Sequence, residues 1–106
     1  MKDEFIKAIH AKQKVRITFN SKEDQRVLVR LCAPLDYGPS RTAKDQSDRF
    51  HMWDFESDSK VHPLSLKPGQ IIKMEITDEV FVPKDCIKWK FIPFSWFVKR
   101  DWGSYS

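Results

Sequence analysis

The stretch DRFHMWDFESDSKVHPLSL, residues 48–66, decides the fold because it predicts two strands joined by a short polar turn. Side chains alternate along a strand, and neither face of the first strand is polar throughout: Phe50, Met52 and Asp54 lie opposite His51, Trp53 and Phe55. Ser57 to Lys60 suits a hairpin connection. Pro63 has no N–H for a ladder, which places the second strand at a sheet edge or a bulge. The stretch therefore predicts the centre of a sheet and one irregular neighbour.

Composition sets the class of protein. The 106 residues are 41% hydrophobic and 13% aromatic, which is typical of one folded domain and not of a disordered chain. No apolar run approaches the ~20 residues that a membrane helix needs, and the first residues lack the apolar core of a signal peptide. We therefore expect a soluble, cytoplasmic protein. The net charge of +4 permits contact with nucleic acid or another anion without requiring it.

Motifs for catalysis or metal binding are missing from the sequence. Cys32 and Cys86 are too far apart for a zinc motif and too few for a disulfide framework, so we expect two buried thiols. The chain has no Gly-rich phosphate loop, no HExxH and no motif around a nucleophile. His51 and Asp54 fall on opposite strand faces and do not form an obvious catalytic pair. We expect a protein that is not an enzyme and that has no metal or cofactor.

The first 83 residues predict one helix followed by five short strands. DEFIKAIHAK, residues 3–12, carries its apolar side chains on one helical face and acidic residues at its N-terminal end. The predicted strands span residues 14–20, 25–34, 48–56, 61–66 and 70–77. The side chains of the first, second and fifth predicted strands that we expect in the core are Val15, Ile17, Phe19, Val27, Val29, Leu31, Ile72, Met74 and Ile76.

These elements indicate a mainly β, α+β domain. Its sheet is antiparallel and either strongly bent or a partly open barrel. Residues 36–47, DYGPSRTAKDQS, predict the long loop of the protein because Gly38-Pro39 is a strong breaker. Long loops in compact domains are often functional or mobile, and the sequence leaves both open.

Four pieces of this pattern recur together in a known family. They are the helix FIKAIHAKQK, the hairpin VRITFNSKEDQRVLVRLCAPL, the strand FHMWDFE and the closing segment LSLKPGQIIKMEITDEVF. In this order they resemble the WYL domain, a bacterial module with an Sm-like small-barrel fold, in which FHMWDFE stands at the place of the Trp-Tyr-Leu strand. The resemblance covers Phe5 to about Pro83 and implies a stand-alone WYL-like domain.

The sequence departs from the family at three places. Phe50-His51-Met52 replaces Trp-Tyr-Leu, Ser65 stands where the family has a ligand-contacting arginine, and Lys67 to Gln70 replaces a compact Asp-Arg step. WYL domains usually follow a DNA-binding helix-turn-helix region, for which 106 residues leave no room. Because the family senses ligands such as nucleotides or nucleic acid, the resemblance implies a ligand-sensing module in transcription regulation.

The first functional hypothesis is non-enzymatic binding of nucleic acid or an anionic, nucleotide-like ligand. Arginine suits phosphate, and an aromatic ring can stack on a base. The alternative is that each arginine only solvates the outer face of the sheet. The candidate binding residues are Arg16, Arg26, Arg30, Arg41, Arg49, His51 and Trp53.

The second hypothesis concerns residues 84–106, an aromatic and basic C-terminal extension of the 1–83 domain. This extension holds seven of the fourteen aromatic residues of the chain. Because aromatic side chains anchor interfaces, it could bind a second copy of the chain or a larger protein partner. Alternatively, the extension folds back and completes the core. The candidate partner contacts are Trp89, Trp96, Phe97 and Trp102.

Overall fold

A helix and five antiparallel strands form the fold, which confirms the predicted fold class. The computed structural model describes residues 1–22, 24–39, 44–57, 62–86, 97–98 and 102. The elements are α1 (Lys2–Ala11), β1 (Gln13–Ser21), β2 (Arg26–Pro39), β3 (Asp48–Asp54), β4 (Pro63–Leu66), β5 (Ile71–Val80) and α2 (Pro83–Cys86). A single 3-10 turn, Pro68–Gln70, connects β4 to β5. In the part of the chain that the structure describes, no helix is long and apolar enough to span a membrane.

The strands form one sheet in the order β4-β3-β2-β1-β5, and each neighbouring pair is antiparallel. The sheet remains open and does not close into a barrel. Strand β4 begins at Pro63 and lies at one edge, where a residue without an N–H costs no ladder hydrogen bond. The position predicted for this strand is therefore confirmed.

Helix α1 covers the core face of the sheet. Its buried face consists of Phe5, Ala8 and Ile9, as the spacing of its apolar residues predicts. The Phe5 ring meets the Phe50 ring edge to face, with centroids 5.0 Å apart. Removing one such ring from water stabilises the fold by roughly 2–3 kcal/mol. Cys32 and Cys86 are free and buried, as predicted.

The register between β1 and β2 reverses the predicted faces of β2. Ile17 lies opposite Arg30, and Phe19 lies opposite Leu28, so the even-numbered side chains of β2 share the core face of β1. Val27 and Val29 point to the other face and are about half exposed. The prediction that they are buried is wrong because both faces of β2 carry apolar side chains. Only pairing with β1 selects one face.

Strand β5 is less buried than predicted because it lies at the second edge of the sheet. Met74 is partly buried, opposite Ile17, whereas Ile72 and Ile76 are exposed. A register shift at the start of β5 places Ile71 and not Ile72 opposite Phe19, so Ile71 is the buried residue there.

The predicted loop begins later than expected. Strand β2 continues through Pro34 to Pro39, with an irregularity between Pro34 and Asp36, and Gly38 pairs with Arg49. The ring of His51 on β3 also binds the Gly38 carbonyl, which holds this glycine in the sheet. Residues 40–43 of the predicted loop lie outside the described residues.

Candidate ligand-binding groove

The β1–β2 hairpin, β3, β4 and the 3-10 turn surround a groove with a volume of about 510 Å³. Phe19, Leu28 and Leu66 supply apolar surface along it. Gln70 closes one side because its Nε2 donates to the Asn20 carbonyl at 3.4 Å. The bend of the sheet therefore brings the β1–β2 hairpin close to the far end of the β3–β4 pair.

Positive charge prevails among the described residues that line the groove. Four cations face two carboxylates, and the six residues are Lys22, Arg30, Arg49, Lys67, Asp24 and Asp54. A concave surface of one prevailing sign attracts ions of the opposite sign. The groove therefore favours an anion over a cation.

Arg30 is partly neutralised by a buried carboxylate. Its Nε lies 3.4 Å from Oδ2 of Asp54, and the two side chains are 17% and 10% exposed. Burial raises the pKa of Asp54, although a hydrogen bond from the Glu56 N–H and the charge of Arg30 act in the opposite direction. The pair therefore holds one positive and one negative charge at the wall of the groove.

Arg49 contributes a buried guanidinium donor to the groove. Its Nε has no hydrogen-bond partner among the residues that the structure describes. An unsatisfied buried donor costs about 1–3 kcal/mol, and more when it is charged. An acceptor supplied by a ligand would remove this cost.

Lys67 comes directly after β4. It lies close to Arg49 because the residues next to them, Leu66 and Phe50, are paired. Its Nζ lies 2.6 Å from Oδ2 of Asp45 and holds the pKa of that carboxyl well below its usual range. This ion pair ties the segment before β3 to the edge of the groove.

His62 lines the groove in a fixed orientation. It is not among the binding residues predicted from the sequence. Its Nδ1 must donate to the Asp54 carbonyl, 2.7 Å away, because a carbonyl only accepts. The ring also stacks on Trp53, with centroids 4.8 Å apart and planes 14° apart. This tautomer leaves Nε2 as an acceptor when the ring is neutral. The backbone hydrogen bond that places His62 here, from the Asp54 N–H to the His62 carbonyl, joins residues eight positions apart and could not be read from the sequence.

The structure brings two of the seven predicted binding residues, Arg30 and Arg49, into the groove. Arg16 lies opposite Leu31, on the face of the sheet away from Arg30. Arg26 is exposed at the start of β2, and Arg41 lies outside the described residues. The predicted set of arginines on paired strands is therefore divided between two faces.

The two predicted aromatic residues of β3 have roles within the fold. His51 donates from Nε2 to the Gly38 carbonyl and accepts at Nδ1 from the Ser65 hydroxyl, both at 2.8 Å. Both ring nitrogens of His51 are therefore used to join β2, β3 and β4. Trp53 supports the ring of His62.

Two aromatic residues of the C-terminal extension are described, and they differ. Trp102 is 4% exposed, and its indole N–H donates to the Ile9 carbonyl at 3.0 Å. It therefore belongs to the core, which corrects its assignment as a partner contact. Phe97 is 47% exposed. Trp89 and Trp96 lie outside the described residues.

Hydrogen bonds from backbone N–H groups to a side-chain carboxylate attach this extension to β2. The carboxylate of Asp36 is buried and accepts from the N–H groups of Phe97 and Val98 at 3.1 and 2.8 Å. A carboxylate that accepts several backbone N–H groups is well stabilised without a cation. Residues 97, 98 and 102 are therefore packed on the domain.

Comparison with known proteins supports the fold alone. No protein-family model and no curated protein matches the sequence. A solved structure, proteasome accessory factor B/C (PafBC) of Arthrobacter aurescens, is similar to 85% of this chain with a TM-score of 0.61 and 16% identity. The chain spans only 13% of the length of that protein. The likeness supports a WYL-like fold, and together with the groove it defines a small β-sheet domain with a cationic cleft.

Proposed function

We propose that this chain is a non-enzymatic regulatory module whose groove binds an anionic, nucleotide-like ligand. The observation that carries the proposal is the buried Nε of Arg49, which finds no acceptor among the described residues, in a groove whose described lining has an excess of cations. A phosphate oxygen accepts strong, charge-assisted hydrogen bonds from a guanidinium group. Phosphate is therefore the group best suited to Arg49.

The apolar part of the groove supports a ligand that carries a ring. Phe19, Leu28 and Leu66 line it beside the charged residues, and bases stack readily on aromatic surfaces. A volume of about 510 Å³ lies within the range of ~300–1,000 Å³ that small-ligand sites occupy. The WYL-like fold agrees with this assignment, since the family resemblance implies sensing of nucleotides or nucleic acid.

The proposal can be tested with a fluorescent single-stranded oligothymidylate as the probe. Its anisotropy in titrations with the protein should give an affinity that falls steeply as the salt concentration rises. Arg49→Gln should weaken binding and reduce the slope of log K against log salt by about one. The change removes one phosphate contact and leaves the apolar surface in place.

Arg16→Gln is the matched control because it removes the same charge from a residue that does not line the groove. It should leave the affinity nearly unchanged. Equal losses in the two variants would show that the probe responds to net charge and not to the groove. A folded wild-type protein that binds no probe at low salt would refute the proposal.

A further inference from the structure

Strand β5 forms an edge of the sheet and exposes several large apolar side chains. It pairs with β1 on one side, and no strand of the described chain pairs with its other side. Ile72, Ile76 and Val80 are 57%, 38% and 66% exposed. An unpaired edge strand is a template for another strand. The middle of β5 alternates apolar side chains with Lys73 and Glu75, so this edge offers a second strand both apolar surface and charges of opposite sign.

We propose that two copies of this chain associate by antiparallel pairing of their β5 strands, with the twofold axis at Met74. In this register Ile72 of one copy lies opposite Ile76 of the other, and Lys73 lies opposite Glu75. A twofold axis repeats each contact, so the dimer contains two apolar pairs and two pairs of opposite charge. Met74 meets its own counterpart between them.

The regular part of β5 determines where the axis can lie. Residues 73–76 pair with β1 without a shift, whereas the ladder is irregular at Ile71 and again before Val80. A straight second ladder is therefore available only near the middle of the strand. Pairing centred on Met74 keeps residues 73–75 of both copies within this regular segment.

Neighbouring registers are less favourable. With the axis at Glu75, two carboxylates would lie directly opposite each other, which destabilises an antiparallel pair. With the axis between Met74 and Glu75, Lys73 would lie opposite Ile76. The register centred on Met74 is the one that matches apolar with apolar side chains and cations with carboxylates.

The charges set the register, and burial of the apolar side chains supplies most of the free energy of association. Within one chain Lys73 Nζ lies 3.3 Å from Oε1 of Glu75, and both side chains are largely exposed. Such exposed pairs contribute little energy, so Lys73 can exchange this partner for Glu75 of the second copy. Met74 and Ile76, which lie opposite Ile17 and Val15, would continue the core face across the axis. Because a single strand pair buries a small area, we expect a weak, concentration-dependent dimer.

Charge reversal tests the register. Sedimentation equilibrium should show dimerisation of the wild type, whereas Lys73→Glu and Glu75→Lys should each raise the dissociation constant by about tenfold or more, because both place like charges opposite each other. An equimolar mixture of the two variants should associate again, since every contact in the mixed dimer then joins opposite charges. The double swap, K73E with E75K, should do the same.

Lys7→Glu, which changes the same charge on the exposed face of α1, is the control and should dimerise like the wild type. Melting temperatures of all variants establish that each one is folded. A wild type that stays monomeric at every concentration would overturn the proposal. Single variants that dimerise normally, or a mixture that does not associate, would overturn the register and with it the proposed interface.

Discussion

At the scale of single residues, Asp54 links the fold to the groove. Its backbone pairs with His62, and its carboxylate faces Arg30. Burial is the main cause of its raised pKa. Between the ordinary pKa and the raised one, the folded state binds more protons than the unfolded state, so stability falls as pH rises through this window. Ionisation of Asp54 in the folded state therefore lowers the free energy of unfolding, and the charge of Arg30 offsets part of this loss.

Asp54→Asn should strengthen binding of the oligothymidylate probe at neutral pH, because it removes the negative charge that faces Arg30. In the wild type, binding should also strengthen as pH falls towards the raised pKa of Asp54. The Asn variant should lack this part of the pH dependence. Anisotropy titrations over a pH series check both effects.

Asp24→Asn is the control for this prediction, since Asp24 is an exposed carboxylate at the other side of the groove. Its replacement removes the same charge without freeing Arg30. If both variants bind the probe equally well, the Arg30–Asp54 pair has no special role in the affinity.

Gly38 supports a prediction on packing. A Cβ at this position would lie 2.5 Å from Cγ and Cδ2 of Phe97, which is closer than real contacts allow. Gly38→Ala should therefore lower the free energy of unfolding by about 1–3 kcal/mol. Denaturant unfolding measures this change. Gly69→Ala, where a Cβ meets no atom within 4 Å, should have a much smaller effect, and equal effects would show that Phe97 does not restrict Gly38.

At the scale of elements, strand β2 has two roles. Its first half presents Leu28 and Arg30 to the groove, and its second half presents the Asp36 carboxylate to residues 97 and 98. The irregularity between Pro34 and Asp36 separates the two halves. An irregularity of this kind changes the direction of side chains without ending a strand. One strand thus serves both the candidate site and the attachment of the C-terminal extension.

At the scale of the whole molecule, the extension takes part in the core. The Trp102 ring lies edge to face against Phe81, with centroids 5.3 Å apart, and its indole N–H reaches α1. Contacts between the chain ends and the sheet therefore close the core on one side. Loss of a ring this large typically costs 3–5 kcal/mol, or about the stability of a marginal domain.

Deletion of residues 84–106 should therefore give an unfolded or insoluble product. Trp102→Ala should lower the melting temperature strongly, and Phe97→Ala should lower it less because Phe97 is nearly half exposed. Circular dichroism and thermal unfolding test both expectations. A soluble 1–83 fragment with an unchanged melting temperature would instead identify the extension as a detachable docking segment.

Particular residues show how far the sequence could predict this molecule. The alternation in β1 and β3 predicted strands, and in β1 it predicted the buried Val15, Ile17 and Phe19 correctly, since one face of β1 is consistently apolar. In β2 both faces carry apolar side chains, so the alternation predicted a strand but not which of its faces is buried. The candidate groove was predicted in part, through Arg30 and Arg49. His62 and Lys67 could not be assigned to it, because the bend of the sheet brings them there.

The sequence by itself determined the strands and the helix, and it limited the strand at Pro63 to a sheet edge or a bulge. These depend on periodicity and on the missing N–H of proline, which are local properties. Only the tertiary structure decided which face of β2 is buried, that Trp102 belongs to the core, and that Arg16 lies away from Arg30. The physical reason is that register and packing join residues far apart in sequence, where a shift by one position moves every side chain to the opposite face.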